Sequence, residues 1–237
     1  MKLSAPIYLL KRRARLLSRE ESIPLSAALD RIALLEGHSR WSVLAARHAA
    51  TAPAVKLFGL LRHGDLVLIG ARPGQGKTLL ALELAMEAMK SGNQGTFFSL
   101  EYTARDILDR FLAIGVAPAR FDRAFEFDCS DAISADYIIK KLALAARGTL
   151  VVIDYLQLLD QNRANPPLSV QIHALKSFAR DRGLTIVLLS QINRSYDPEK
   201  KPYPDIWDVR LPNPLDLQIF DKTCFLNNGS VQVHATA

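Results

Sequence analysis

The chain has 237 residues, 49% of them hydrophobic, enough for one α/β domain with a sizeable core and a small appendage. Thirty Lys and Arg stand against 24 Asp and Glu, for a net charge of +6. The mixed charge excludes wholesale disorder, and the basic excess favours an anionic partner such as nucleic acid without requiring one.

Residues 1–50 read as a short, basic, helical segment. Leu9, Leu10, Leu16 and Leu17 recur at helical spacing beside Lys11, Arg12, Arg13, Arg15 and Arg19. This start does not read as a targeting peptide: no apolar stretch or small-residue cleavage site follows, and Glu20, Glu21, Asp30 and Glu36 come soon after. Pro24 breaks the pattern. A second helix is predicted from Ser26 to Glu36 with Gly37 as its stop, and Ser39 is a candidate cap for a third holding Trp41, Leu44 and Ala45. Two readings stay open for this segment. It is a module whose arginines face the phosphates of DNA or dock another protein, or it packs on the main domain or a neighbouring subunit behind a solvated basic face. Residues 51–57 read as a linker, and residues 58–237 as the main domain.

Gly64-Asp65 is a tight turn before the first strand, Leu66-Val67-Leu68-Ile69. Next come Gly70-Ala71-Arg72-Pro73-Gly74-Gln75-Gly76-Lys77-Thr78 and a helical run from Leu79. Strand, glycine-rich loop and helix, in that order, are the context of a phosphate-binding P-loop. Gly74 and Gly76 let the backbone turn its N–H groups toward phosphate oxygens, and the helix N-terminus adds its own donors. Arg72, Pro73, Gly74, Gln75, Gly76, Lys77, Thr78 and Leu79 are therefore the candidate nucleotide-binding residues. Lys77 is the cation for the outer phosphates, and Thr78 offers a hydroxyl to Mg²⁺. Ala71 stands where the usual pattern has its first glycine.

Gly95 to Leu100 is a buried-strand pattern ending on Glu101, and Thr103 can cap a helix through Leu112. At a strand's carboxyl end, Glu101 could take a proton from an attacking water; equally, it could be an acidic residue favoured by a helix start. Phe125–Asp128 is a short strand, and Ala135–Ala146 a basic amphipathic helix. Thr149-Leu150-Val151-Val152-Ile153-Asp154 is an apolar strand ending in aspartate, the Walker B arrangement, with Asp154 as a Mg²⁺ ligand.

Residues 160–168 form a polar loop before a helix from about Ser169 to Arg180. Leu184–Ser190 is the next buried strand and ends on Gln191, which could sense the outer phosphate or be a plain strand-end amide. Asn193–Tyr203 mixes cations with aromatics, as a single-stranded DNA contact or an ordinary surface loop would. Leu217–Phe220, Thr223–Leu226 and Val231–Val233 read as short closing strands. Cys129 and Cys224 lack C-x-x-C spacing, so neither a disulfide framework nor a zinc site is expected; Cys224, in an apolar run, reads as a small core residue. That usage suits a reducing compartment, the cytoplasm, and no apolar run reaches the length of a membrane span.

Four motifs occur in fixed order: Ala71–Thr78, Phe98-Ser99-Leu100-Glu101, Ile153-Asp154-Tyr155-Leu156-Gln157-Leu158 and Leu189-Ser190-Gln191-Ile192-Asn193-Arg194. Together they resemble the C-terminal motor domain of DnaB-type replicative helicases over about residues 57–235. The alanine opening the P-loop fits that family. The resemblance implies a RecA-like P-loop NTPase core with a central, mostly parallel sheet. It implies ATP hydrolysis with Mg²⁺, coupled to movement on single-stranded DNA through a homo-oligomeric, hexameric ring. Carried over, Glu101 matches the catalytic glutamate, Lys77 and Thr78 the phosphate and Mg²⁺ ligands, Asp154 the Walker B aspartate and Gln191 the sensor glutamine. The loops after Leu159 and Asn193 match the DNA-facing loops. The N-terminal helices would be a docking point for a replication protein, although the family carries a larger domain there. Its late arginine, which reaches a neighbour's phosphate, has no counterpart in Phe225–Val231, and no arginine follows Arg210. Lys222 is a poor substitute, lacking the planar fork. The alternative to a motor is a nucleotide-switched DNA or replisome adaptor with weak hydrolysis.

Overall fold

Parallel strands covered on both faces need no alternation of apolar and polar residues, and the long apolar runs of this chain form such strands. The computed structural model describes residues 3–5, 7–45, 52–114, 116, 124–160, 165–211, 213–227 and 230–235. They fold as two compact units, residues 1–56 and 57–237.

In the first unit, α1 (Ile7–Glu20) and α2 (Leu25–Leu35) pack together through Leu10, Ala14, Ala28 and Ile32. Gly37 takes a left-handed φ of 78° just past α2, as its stop position requires. Residues 41–45 are helical, but their first amide is met from another helix rather than by Ser39: Asp30 Oδ1 accepts the Trp41 N–H at 2.8 Å. The expected linker, 51–57, is helical from Pro53, because α3 (Pro53–Leu60) starts on a proline whose missing N–H costs nothing at a first helical position.

The second unit is built on a seven-stranded sheet of β1 (Leu66–Ala71), β2 (Gly95–Ser99), β3 (Phe125–Asp128), β4 (Leu150–Asp154), β5 (Thr185–Gln191), β6 (Lys222–Asn227) and β7 (Ser230–Ala235). Its order is β3-β2-β4-β5-β1-β6-β7; only β7 runs antiparallel to its neighbour. α4 (Lys77–Lys90) packs on β1, β2, β4 and β5. α5 (Ala104–Ala113) opens with a full capping box between Thr103 and Asp106. α6 (Ala135–Lys141) and α7 (Leu168–Arg182) pack together in one cluster with Leu66, Leu68, Val151, Ile153, Ile186 and Leu188.

Two predicted elements change. The helix expected to reach Ala146 stops at Lys141: Leu142 ends it, and the Ala145 and Thr149 amides close local turns onto Leu142 and Ala146. Leu217–Phe220 is not a strand, for Leu217–Ile219 is a single 3₁₀ turn whose Gln218 amide is capped by Asp216 Oδ1. Buried in β6, Cys224 has its thiol pushed up to about 12 by desolvation, so it serves as a core residue. Among the described residues, no helix is long and apolar enough to cross a membrane.

Candidate functional site

Sheet order brings the carboxyl ends of β2, β4, β5 and β1 side by side, at Ser99, Asp154, Gln191 and Ala71. In an open parallel sheet this rim is where ligands bind. Beyond β1 the chain doubles back through Arg72-Pro73-Gly74-Gln75-Gly76, with the Gln75 N–H donating to the Arg72 carbonyl at 3.3 Å. Gly74 and Gly76 hold φ of 78° and 87°, yet among the described residues a Cβ on either would meet nothing within 4 Å beyond its chain neighbours. The dihedral angle, not crowding, demands glycine there.

α4 follows with no side-chain cap, and its first turn closes when the Leu80 N–H reaches the Gly76 carbonyl at 2.9 Å. The amides of Lys77, Thr78 and Leu79 therefore have no acceptor within the helix, and the positive dipole end lies beside them. Leu79 itself is partly exposed, so its contribution to an anion is its backbone.

Asp154 is wholly buried, and both its oxygens are engaged. Oδ1 accepts from Lys77 Nζ at 3.2 Å and Oδ2 from Thr78 Oγ1 at 2.9 Å. Lys77 Nζ also lies 5.9 Å from the centre of the Tyr155 ring. A buried carboxylate sharing a cation and a hydroxyl is a hard oxygen donor set with anion donors next to it. Glu101 stands past the end of β2, its N–H donating to Ser99 Oγ at 3.1 Å, and Ser99 is in register with Asp154. Desolvation raises the Glu101 carboxyl above the usual glutamate range; Lys77 opposes this and Asp154 adds to it.

Gln191 is in register with Ala71, and its carbonyl accepts the Arg210 N–H at 2.8 Å. Sequence reasoning passed over Gln157 as a site residue. In the 3₁₀ turn after β4, its Nε2 donates to the Arg210 carbonyl at 2.6 Å and to Ser190 Oγ at 3.3 Å, while its buried Oε1 has no partner among the described residues. The signal was its place three residues past Asp154.

Two residues weighed in the sequence, Lys222 and Tyr196, are engaged within the chain. Lys222 donates to Asp65 Oδ2 at the amino end of β6, in register with Val67 at the start of β1. A lysine there cannot take the place of an arginine at the phosphate rim. In the loop after Asn193, Tyr196 is buried with its hydroxyl donating to the Lys201 carbonyl at 2.8 Å, Lys200 pairs with Asp197, and Lys201 pairs with Asp205 and Asp208. Tyr196 is thereby withdrawn from stacking on a base. Much of the other expected DNA-facing loop, residues 161–164, and residues 228 and 229 lie outside the described residues.

Comparison with known proteins gives a consistent picture. A family profile described as the DnaB-like helicase C terminal domain matches residues 55–123 and 122–217. The "Replicative DNA helicase DnaB" of Helicobacter pylori strain J99 is 28% identical over 200 residues, covering 71% of this chain and 41% of that protein. The "Probable plasmid replicative DNA helicase" of Chlamydia trachomatis is 27% identical over 199 residues, covering 71% of this chain and 44% of that protein. The chain thus spans less than half the length of these relatives. Among solved structures, a chain described as an ATPase domain superposes with a TM-score of 0.60 at 22% identity, over 79% of this chain and 81% of that one. A DnaB-like replicative helicase studied with primase gives 0.59 at 22% identity, over 92% of this chain and 65% of that one. At such identity these structures speak to the fold, which is RecA-like.

Proposed function

The chain belongs to the family of DnaB-like helicase C-terminal domains, and from that premise we propose that residues 58–237 are a motor that hydrolyses ATP with Mg²⁺ and acts on single-stranded DNA. The observation that carries this is the convergence of Lys77 and Thr78 on buried Asp154, with Glu101 two residues past Ser99, which is in register with Asp154. The donors suit the group: open amides and an ammonium for phosphate, a hydroxyl and a carboxylate for a hard cation. Lys77 and the amides of Gly74 and residues 76–79 would bind the phosphates, and Thr78 and Asp154 would hold Mg²⁺. When bound, Mg²⁺ neutralises charge on the outer phosphate oxygens. Glu101, ionised, would take the proton of the attacking water. Gln191 would report the outer phosphate through the Arg210 backbone that it already holds. The chain would assemble as a homo-oligomer, a hexameric ring, and work in the cytoplasm alongside a replication protein.

The test is ATP turnover against protein concentration, with and without single-stranded DNA. Turnover per chain should rise with concentration and again with DNA. Tight ATP binding with negligible turnover at every concentration would overturn the motor and leave a nucleotide-gated adaptor.

A further inference from the structure

The charge of this chain is divided unevenly. Residues 1–56 hold ten Lys and Arg against four Asp and Glu, whereas residues 57–237 hold twenty of each. The whole excess of +6 therefore belongs to the helical unit, and the larger unit is neutral. Within the helical unit the charge is concentrated on α1. At 100° per residue, Lys11, Arg12, Arg15 and Arg19 fall within an arc of about 100°, and Lys11, Arg15 and Arg19 form an i, i+4 row about 12 Å long. All four are exposed, and none is paired with a carboxylate among the described residues. Arg31, by contrast, is taken by Glu21, and Arg13 lies off the row, where its charge bears on Glu36.

We propose that this face of α1 binds the phosphate backbone of nucleic acid, as a contact separate from the nucleotide site. Three of the four cations are arginines, whose planar forks match phosphate oxygens. A bilayer is the weaker partner. A helix lying in a membrane surface must offer an apolar face, and that of α1 is closed by α2, with Leu10 and Ala14 buried against Ala28 and Ile32. The neutral unit gives further reason to look here, because its Lys200 and Lys201 are already occupied by its own carboxylates. Backbone contacts of this kind hold a strand without reading its sequence. The surface would keep the protein on nucleic acid in every nucleotide state.

The test uses the full chain with Lys11, Arg12, Arg15 and Arg19 all changed to Gln. Binding to a fluorescent oligonucleotide, single-stranded and as duplex, is followed by anisotropy without nucleotide across a salt series. Loss of four phosphate contacts should flatten the log–log salt slope by about 2.8 on single strands and about 3.6 on duplex, with a matching fall in affinity at low salt. Affinity for ATP should not change, so failure here is distinct from failure of the motor reading. In the wild-type chain, added DNA should also shield Lys11 from acetic anhydride, a readout that needs no variant. An unchanged slope in a folded variant, an unshielded Lys11, or binding to phosphatidylserine vesicles but not to DNA would each overturn the proposal.

Discussion

Replacing Lys222 by Met separates two roles that a late lysine could have. β6 is parallel to β1, with Lys222 beside Val67 and Leu226 beside Ala71. Four residues of strand put Lys222 about 13 Å from the phosphate end of the sheet. There it forms an ion pair with Asp65 in which both side chains are only 11% exposed. Removing one partner of a buried pair costs about 3–5 kcal/mol. Asp65 keeps the Arg62 N–H at 2.7 Å, which argues for the lower figure, about 3 kcal/mol. For a unit of this size that lowers Tm by about 6–12 °C. Thermal melts followed by circular dichroism, with binding of a fluorescent ATP analogue at a temperature where the variant is folded, should show lost stability and unchanged affinity. Changing Asp65 to Asn as well should recover much of the loss, since no charge is then stranded. A Lys222→Met chain that melts like wild type but no longer turns over would refute the reasoning and return Lys222 to a neighbour's phosphate.

Lys77→Ala should abolish ATP binding in equilibrium titrations; unchanged affinity would sink the P-loop assignment. Glu101→Gln should bind ATP but not hydrolyse it. Because Glu101 must be ionised to take a proton and its carboxyl is raised, wild-type turnover should fall with decreasing pH earlier than an ordinary glutamate dictates; an acid limb at the ordinary value would speak against it. Gly70→Ala places a Cβ 2.8 and 2.9 Å from ring carbons of fully buried Phe225, and urea melts should show a loss of about 1–3 kcal/mol; an unmoved midpoint would mean the strands have slack. Burial pushes Asp221 up, but the Leu66 N–H, Lys176 and Arg180 hold it below the usual aspartate range. Its stabilisation is therefore full above that range and lost as pH falls through the depressed value. The Tm gap between wild type and Asp221→Asn should be open at neutral pH and close in acid, and a gap indifferent to pH would count against the ion cluster.

Much of the larger unit was legible because fully covered parallel strands are written as unbroken apolar runs. Leu66–Ala71, Leu150–Asp154 and Thr185–Gln191 could be placed within two residues. The phosphate loop was legible for a different reason: two glycines, a lysine and a threonine at fixed spacing encode backbone angles and side-chain reach directly. Leu217–Phe220 was misread because a short apolar run carries no period, and the deciding contact is a local cap from Asp216. Pro53 was read as part of a linker although proline suits a first helical turn. Tyr196 and Lys222 could not be placed at all from sequence. One is fixed by a carbonyl five residues on, the other by an aspartate 157 residues away.

The ion clusters Asp65–Lys222 and Asp221–Lys176–Arg180 gather at the amino ends of the strands, while Lys77, Thr78, Asp154 and Gln191 gather at the carboxyl ends. The ion pairs and the proposed site thus lie at opposite ends of the strands of one sheet. A mutational library confined to the lower edge would explore melting temperature at nearly constant turnover, and one confined to the upper edge would explore substrate preference on an unchanged scaffold. Lineages adapting to temperature and lineages adapting to a new substrate should accumulate their changes in different halves of the same strands.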